Sequence, residues 1–67
     1  MEMIAVTSSA ISRIGYEPNV LRIEFVRGRT YDYLGVRSEL YDALMVAESH
    51  GAFFNQRIKG VYAEVEV

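Results

Sequence analysis

The stretch Phe25-Val26-Arg27-Gly28-Arg29-Thr30-Tyr31-Asp32-Tyr33 decides how this chain is read. Immediately before it, Leu21-Arg22-Ile23-Glu24-Phe25 alternates apolar and charged residues, the pattern of a half-buried strand. Tyr31 and Tyr33 lie two residues apart, and strand side chains alternate between faces, so both rings share one face. If that face is shared with Leu21, Ile23 and Phe25, the register pairs Phe25 with Tyr31 and Ile23 with Tyr33. Arg27-Gly28-Arg29 is then a three-residue loop, with glycine available for a positive φ. A two-residue loop would turn the tyrosines to the opposite face from Ile23. The expectation is an antiparallel hairpin with its tyrosines on the aliphatic side.

Working outward, residues 3–7 read as a short strand or extended arm, broken by Thr7-Ser8-Ser9. Ser12-Arg13-Ile14-Gly15-Tyr16 alternates weakly, with Ile14 and Tyr16 on one face. Glu17-Pro18-Asn19 supplies turn chemistry, since proline pre-sets φ and asparagine tolerates the left-handed region. After Leu34-Gly35-Val36 the period lengthens. Leu40, Tyr41, Leu44, Met45 and Ala47 or Glu48 follow helical spacing, with Glu39, Asp42 and Glu48 outward and Ser38 as the expected N-cap. Ser49-His50-Gly51 should end that helix. A shorter helix over 52–58 brings Phe54 and Ile58 together at i, i+4, and Val61–Val67 alternates as a final strand. The fold expected is α+β: a small antiparallel β-meander of about three central strands, possible terminal strands, and two short helices packed on one face.

A 67-residue chain with 51% hydrophobic residues makes one globular domain, 1–67. It buries only about 60% of the surface its unfolded chain exposes, so its stability is marginal. With no cysteine it has no disulfide or thiolate metal site, and a cytoplasmic home is expected. Its single histidine, His50, gives no histidine-rich zinc site, and neither metal nor cofactor is expected. No uncharged run approaches the roughly 20 residues that cross a bilayer. Met1-Glu2-Met3-Ile4-Ala5-Val6 lacks the basic start of a secretory signal, so a complete small protein off the membrane is expected.

No catalytic constellation is visible, and no enzyme is expected. Ser8-Ser9 lacks the glycine flanks of a nucleophile elbow, and the glycines are isolated rather than gathered in a phosphate loop. Asp32 points away from its flanking tyrosines on an alternating strand, as a solvated outer-face residue would.

The basic groups carry more. Arg27 and Arg29 flank the hairpin turn, Arg57 and Lys59 flank the end of the second helix, and Tyr31, Tyr33 and Tyr62 lie beside them in sequence. Aromatic rings that stack bases and cations that meet phosphates are the ingredients of a surface for RNA or single-stranded nucleic acid. The competing reading makes Tyr31 and Tyr33 cross-strand core partners of Phe25 and Ile23, with the arginines a soluble turn. A net charge of −2 also weighs against a strongly electrostatic nucleic-acid binder. The alternative function is a protein-interaction or self-assembly module. It would use a sheet edge, with Phe53 as an exposed aromatic and Asn55 beside it.

One resemblance joins these pieces. Ser8-Ser9-x-Ile11, Ile14-Gly15-Tyr16, Leu21-x-Ile23-x-Phe25, Gly28-x-x-Tyr31-x-Tyr33-x-Gly35-Val36, Tyr41-x-x-Leu44 and Ser49-x-Gly51-x-Phe53-Phe54-Asn55-x-x-Ile58-Lys59-x-x-Tyr62 occur in an order that resembles the KTSC domain family. The likeness runs from about Val6 to Tyr62. That family is named for an appendage of some lysyl-tRNA synthetases and also occurs as small free-standing bacterial and phage proteins. The resemblance implies a non-enzymatic module, and the synthetase context implies RNA. Arg37 stands where the family pattern leads one to expect proline. The tail Glu64-x-Glu66 lies beyond the family core and adds negative charge.

Overall fold

The computed structural model describes residues Met1–Val67. Five strands, β1 (Met3–Ala5), β2 (Ile11–Glu17), β3 (Asn19–Phe25), β4 (Thr30–Val36) and β5 (Glu64–Glu66), form one antiparallel sheet in the order β1-β2-β3-β4-β5. Helices α1 (Ser38–Val46) and α2 (His50–Arg57) lie between β4 and β5 in the chain. The expected α+β meander is therefore present, and both terminal segments do extend the sheet.

The core lies between one sheet face and the helices. Ile11, Ile14, Leu21, Ile23, Tyr33 and Val36 from the sheet are buried with Leu44 of α1, Phe54 of α2 and Ile58. The tyrosines do share the face of Leu21 and Ile23, but the register differs from expectation by two residues. Ile23 pairs with Tyr31 and Leu21 with Tyr33, so the loop is Val26-Arg27-Gly28. Phe25 N–H donates to Arg29 O at 2.8 Å, and Gly28 N–H donates to Phe25 O at 2.9 Å. A three-residue hairpin loop puts its left-handed residue last, and Gly28, with φ +104°, takes that place rather than the apex. Because the slip is even, every side chain keeps its face.

Two irregularities break the strict alternation. The β2–β3 register shifts around Ser12, between Ile11↔Phe25 and Arg13↔Glu24. The β3–β4 register shifts at Gly35, whose φ is +82°. Each bulge inserts one residue and so reverses the facing of what lies beyond it. Ile11 and Val36 thereby turn inward and are completely buried. At the β2–β3 turn Asn19 takes the expected left-handed conformation, with φ 68°.

The opposite sheet face carries cross-strand ion pairs. Arg13 meets Glu24 through two 2.7 Å bonds, and Arg22 meets Asp32 at 2.7 and 3.0 Å. Both pairs stand directly opposite in register, the position where opposite charges support a sheet. Asp32 is thus a structural partner on the outer face.

The helix boundaries correct the expectation. Arg37, not Ser38, is the N-cap of α1, with no side-chain cap bond, and α1 ends at Val46. Ser49 opens α2 instead of closing α1: its Oγ accepts from Ala52 N–H at 3.1 Å. Serine satisfies an otherwise orphaned amide best at an N-cap, so Gly51 falls inside the first turn of α2. His50 Nδ1 lies 2.9 Å from the Leu44 carbonyl, which can only accept, so this nitrogen carries the proton and ties the start of α2 to the last turn of α1. The final strand is shorter than the Val61–Val67 expected, because Val61 N–H bonds back to Ile58 O and holds that segment in a turn.

Candidate functional site

An open groove of about 800 Å³ lies where the β3–β4 hairpin, the loop before β2 and α2 come together. The loop is shaped by Ser8, whose Oγ accepts from both Ala10 N–H and Ile11 N–H at 3.2 Å. Ala10 O then accepts from Val26 N–H at 2.9 Å, which pins the hairpin tip to the loop. Gly51, Phe54 and Asn55 recur at i, i+3 and i+4, so one stripe of α2 forms the third wall. A Cβ at Gly51 would stand 3.4 Å from the Ala10 Cβ, so glycine keeps this wall open.

The floor is aromatic. Phe54 meets Phe25 and Tyr33 edge to face, each with ring centroids 5.3 Å apart, and Phe25 meets Tyr31 at 6.1 Å. Tyr33 and Phe54 are buried, whereas Phe25 and Tyr31 are half-buried and line the groove. Burial first, and then the neighbouring Glu64 carboxylate, push the Tyr33 phenol above the ordinary tyrosine range. The tyrosine pair is therefore chiefly core, with Tyr31 the more accessible ring.

The rim is charged. Arg27, Arg29 and Lys59 line it, with Glu64 among them. Arg29 Nη1 donates to the Tyr31 hydroxyl at 3.4 Å, which together with the nearby Glu66 holds its guanidinium more firmly protonated than usual. Of the seven basic side chains, Arg13, Arg22 and Arg37 are in ion pairs, with Glu24, Asp32 and Glu39. Arg27, Arg29, Arg57 and Lys59 are in none, and three of these four converge on the groove.

Five residues singled out in the sequence are thus brought to one place: Arg27, Arg29, Tyr31, Tyr33 and Lys59, joined by Asn55 from the interaction set. Arg57 is not: it lies over the Phe53 ring, 5.4 Å from its centroid. Phe53 is accordingly half-buried rather than exposed, and Tyr62 is half-buried against the core. Sequence reasoning missed Phe25 and Glu64 as groove residues. The only signal for Glu64 was its alternation in the last strand, which fixes a face but not a partner. No group of three or more His, Asp or Glu side chains is arranged to hold a metal ion, and no helix is long and apolar enough to cross a membrane.

Comparison with known proteins agrees with this architecture. The chain is 39% identical over 61 residues to an uncharacterised protein of Stutzerimonas stutzeri, covering 88% of this chain and 86% of that one. It is 44% identical over 59 residues to a protein of Tsukamurella paurometabola, covering 85% and 88%. The crystal structure of a KTSC domain protein from Yersinia pestis superposes with a TM-score of 0.92 at 40% identity, covering 98% of this chain and 96% of that one. The KTSC domain model itself matches residues 7–62, close to the span that the sequence motifs had outlined. On these grounds the chain belongs to the KTSC domain family.

Proposed function

We propose that this domain is a non-catalytic binding module whose groove takes single-stranded nucleic acid, RNA foremost. The observation that carries this reading is the segregation of charge. In a protein of net charge −2, three of the four cations outside ion pairs stand on one aromatic-floored groove. Cations outside ion pairs are available to phosphates, and the half-buried rings of Phe25 and Tyr31 offer a flat base an aromatic surface beside them. The negative net charge opposes long-range attraction, so binding should be modest and sensitive to salt. The non-catalytic part of the proposal is supported by His50, whose Nδ1 is engaged with the Leu44 carbonyl, and by its neighbour Ser49, whose Oγ caps α2. A cytoplasmic setting belongs to the same proposal and rests on the lack of cysteine.

The protein-interaction alternative has less support. Phe53 lies beneath Arg57, and an antiparallel self-pairing of β5 about Val65 would set Glu64 against Glu66 of the other copy. The test is fluorescence anisotropy with a short labelled single-stranded RNA from about 50 to 200 mM salt. Three phosphate contacts predict a slope of log affinity against log salt of about −2. A flat slope, or no binding at the lowest salt, removes the reading.

A further inference from the structure

Glu64 is the one member of the groove rim that a simple anion site does not need. Its register position opposite Tyr33 directs its side chain to the helix-covered face, where it lines the groove with Arg27, Arg29 and Lys59. It forms an ion pair with none of them. A carboxylate there repels the phosphates those cations attract, and, exposed and in no ion pair, it is open to hydrogen-bond donors on a ligand.

We infer, resting on the nucleic-acid reading above, that Glu64 reads a guanine base in the groove by accepting hydrogen bonds from its N1–H and N2–H groups. A carboxylate offers two acceptor oxygens in one plane. Guanine is the base that presents two adjacent donors on its Watson–Crick edge, whereas adenine and cytosine present one amino group there and uracil one imino group. The base lies against the half-buried rings of Phe25 and Tyr31, Asn55 on the α2 wall offers a further donor and acceptor, and Arg27, Arg29 and Lys59 take the flanking phosphates. Tyr33 stands opposite Glu64 in register and lines the groove with it.

The test is anisotropy with short uridine oligomers carrying a single G, A or C at the centre, against the native protein, E64Q and E66Q. Glu64 and Glu66 are both exposed, and Glu66 does not line the groove. The expected result is about tenfold tighter binding of the G-containing oligomer by the native protein and by E66Q, in the range a bidentate base contact gives. E64Q should bind all the oligomers within about twofold of one another, its salt slope unchanged. Equal affinities for all oligomers in the native protein, with uniform tightening in E64Q, would make Glu64 only an electrostatic brake and overturn the inference. So would a G preference that survives in E64Q. Failure of every oligomer to bind the native protein would overturn the nucleic-acid reading as well.

Discussion

Tyr33 of β4 and Phe54 of α2 meet edge to face, ring centroids 5.3 Å apart at an interplanar angle of 70°, and the same pair is both core and groove floor. Stability and ligand binding therefore share these two rings. Phe54→Ala should cost about 3–5 kcal/mol, the range for deleting a buried phenylalanine. Small domains have only about 5–15 kcal/mol in all, so the variant should be largely unfolded on warming. Urea unfolding followed by circular dichroism measures this, and a loss below about 1 kcal/mol would contradict the packing described.

Lys59 and Arg57 are two residues apart in sequence and differ in surroundings, which makes them a matched pair of probes. Lys59→Ala should weaken RNA binding and reduce the magnitude of the salt slope by about 0.7, the contribution of one phosphate contact on a single strand. Arg57→Ala, which uncovers Phe53 outside the groove, should leave the slope unchanged. Equal effects of the two substitutions would place the phosphate path elsewhere.

The Tyr33 phenol should govern alkaline stability. Its folded pKa is raised by burial and by Glu64, so the folded state holds this proton more tightly than the unfolded chain. The stabilisation is fully present below the ordinary tyrosine value of about 10 and is lost as pH rises above it. Tyr33→Phe should flatten that alkaline fall, and phenolate absorbance should show one fewer late-ionising group.

At the acid end the sign reverses. Hydrogen bonding from Arg13 holds the Glu24 carboxyl below its usual range, so its contribution is present at neutral pH and lost as pH falls through that lowered value. The stability difference between the native protein and Glu24→Gln should therefore be largest near neutrality and shrink on acidification. Urea midpoints across that range check it, and a constant difference would count against the pairing.

Two glycines should respond oppositely to alanine. Nothing lies within 4 Å of a Cβ at Gly28, yet its φ of +104° is strained for any L side chain. Gly28→Ala should cost about 1–3 kcal/mol. Gly51 sits in the first turn of α2 with ordinary backbone angles, and alanine there should gain up to about 0.5–1 kcal/mol of helix propensity. The same methyl narrows the groove against Ala10, so Gly51→Ala should bind RNA more weakly while melting higher. Thermal melts and anisotropy on one preparation separate the two effects.

The sequence by itself determined which residues share a face. Period-two alternation places Leu21 with Ile23, and Tyr31 with Tyr33, whatever the partner strand, and the i, i+4 spacing of Phe54 and Ile58 marks the buried side of α2. The order of motifs identified the family, and the turn chemistry of Pro18-Asn19 located one hairpin. The tertiary structure decided everything that depends on partners distant in the chain. The hairpin slipped by two residues because the loop needs its left-handed position last, at Gly28. Ile11 and Val36 reached the core only through bulges that alternation does not encode. Ser49 became the start of a helix because the amide that needed a cap was that of Ala52. Which cations remain free was likewise settled by cross-strand register: it matched Arg13 with Glu24 and Arg22 with Asp32, and left Arg27, Arg29 and Lys59 to meet on the groove. Local pattern fixes direction, since it follows from backbone geometry alone. Pairing and convergence are fixed only when distant segments pack.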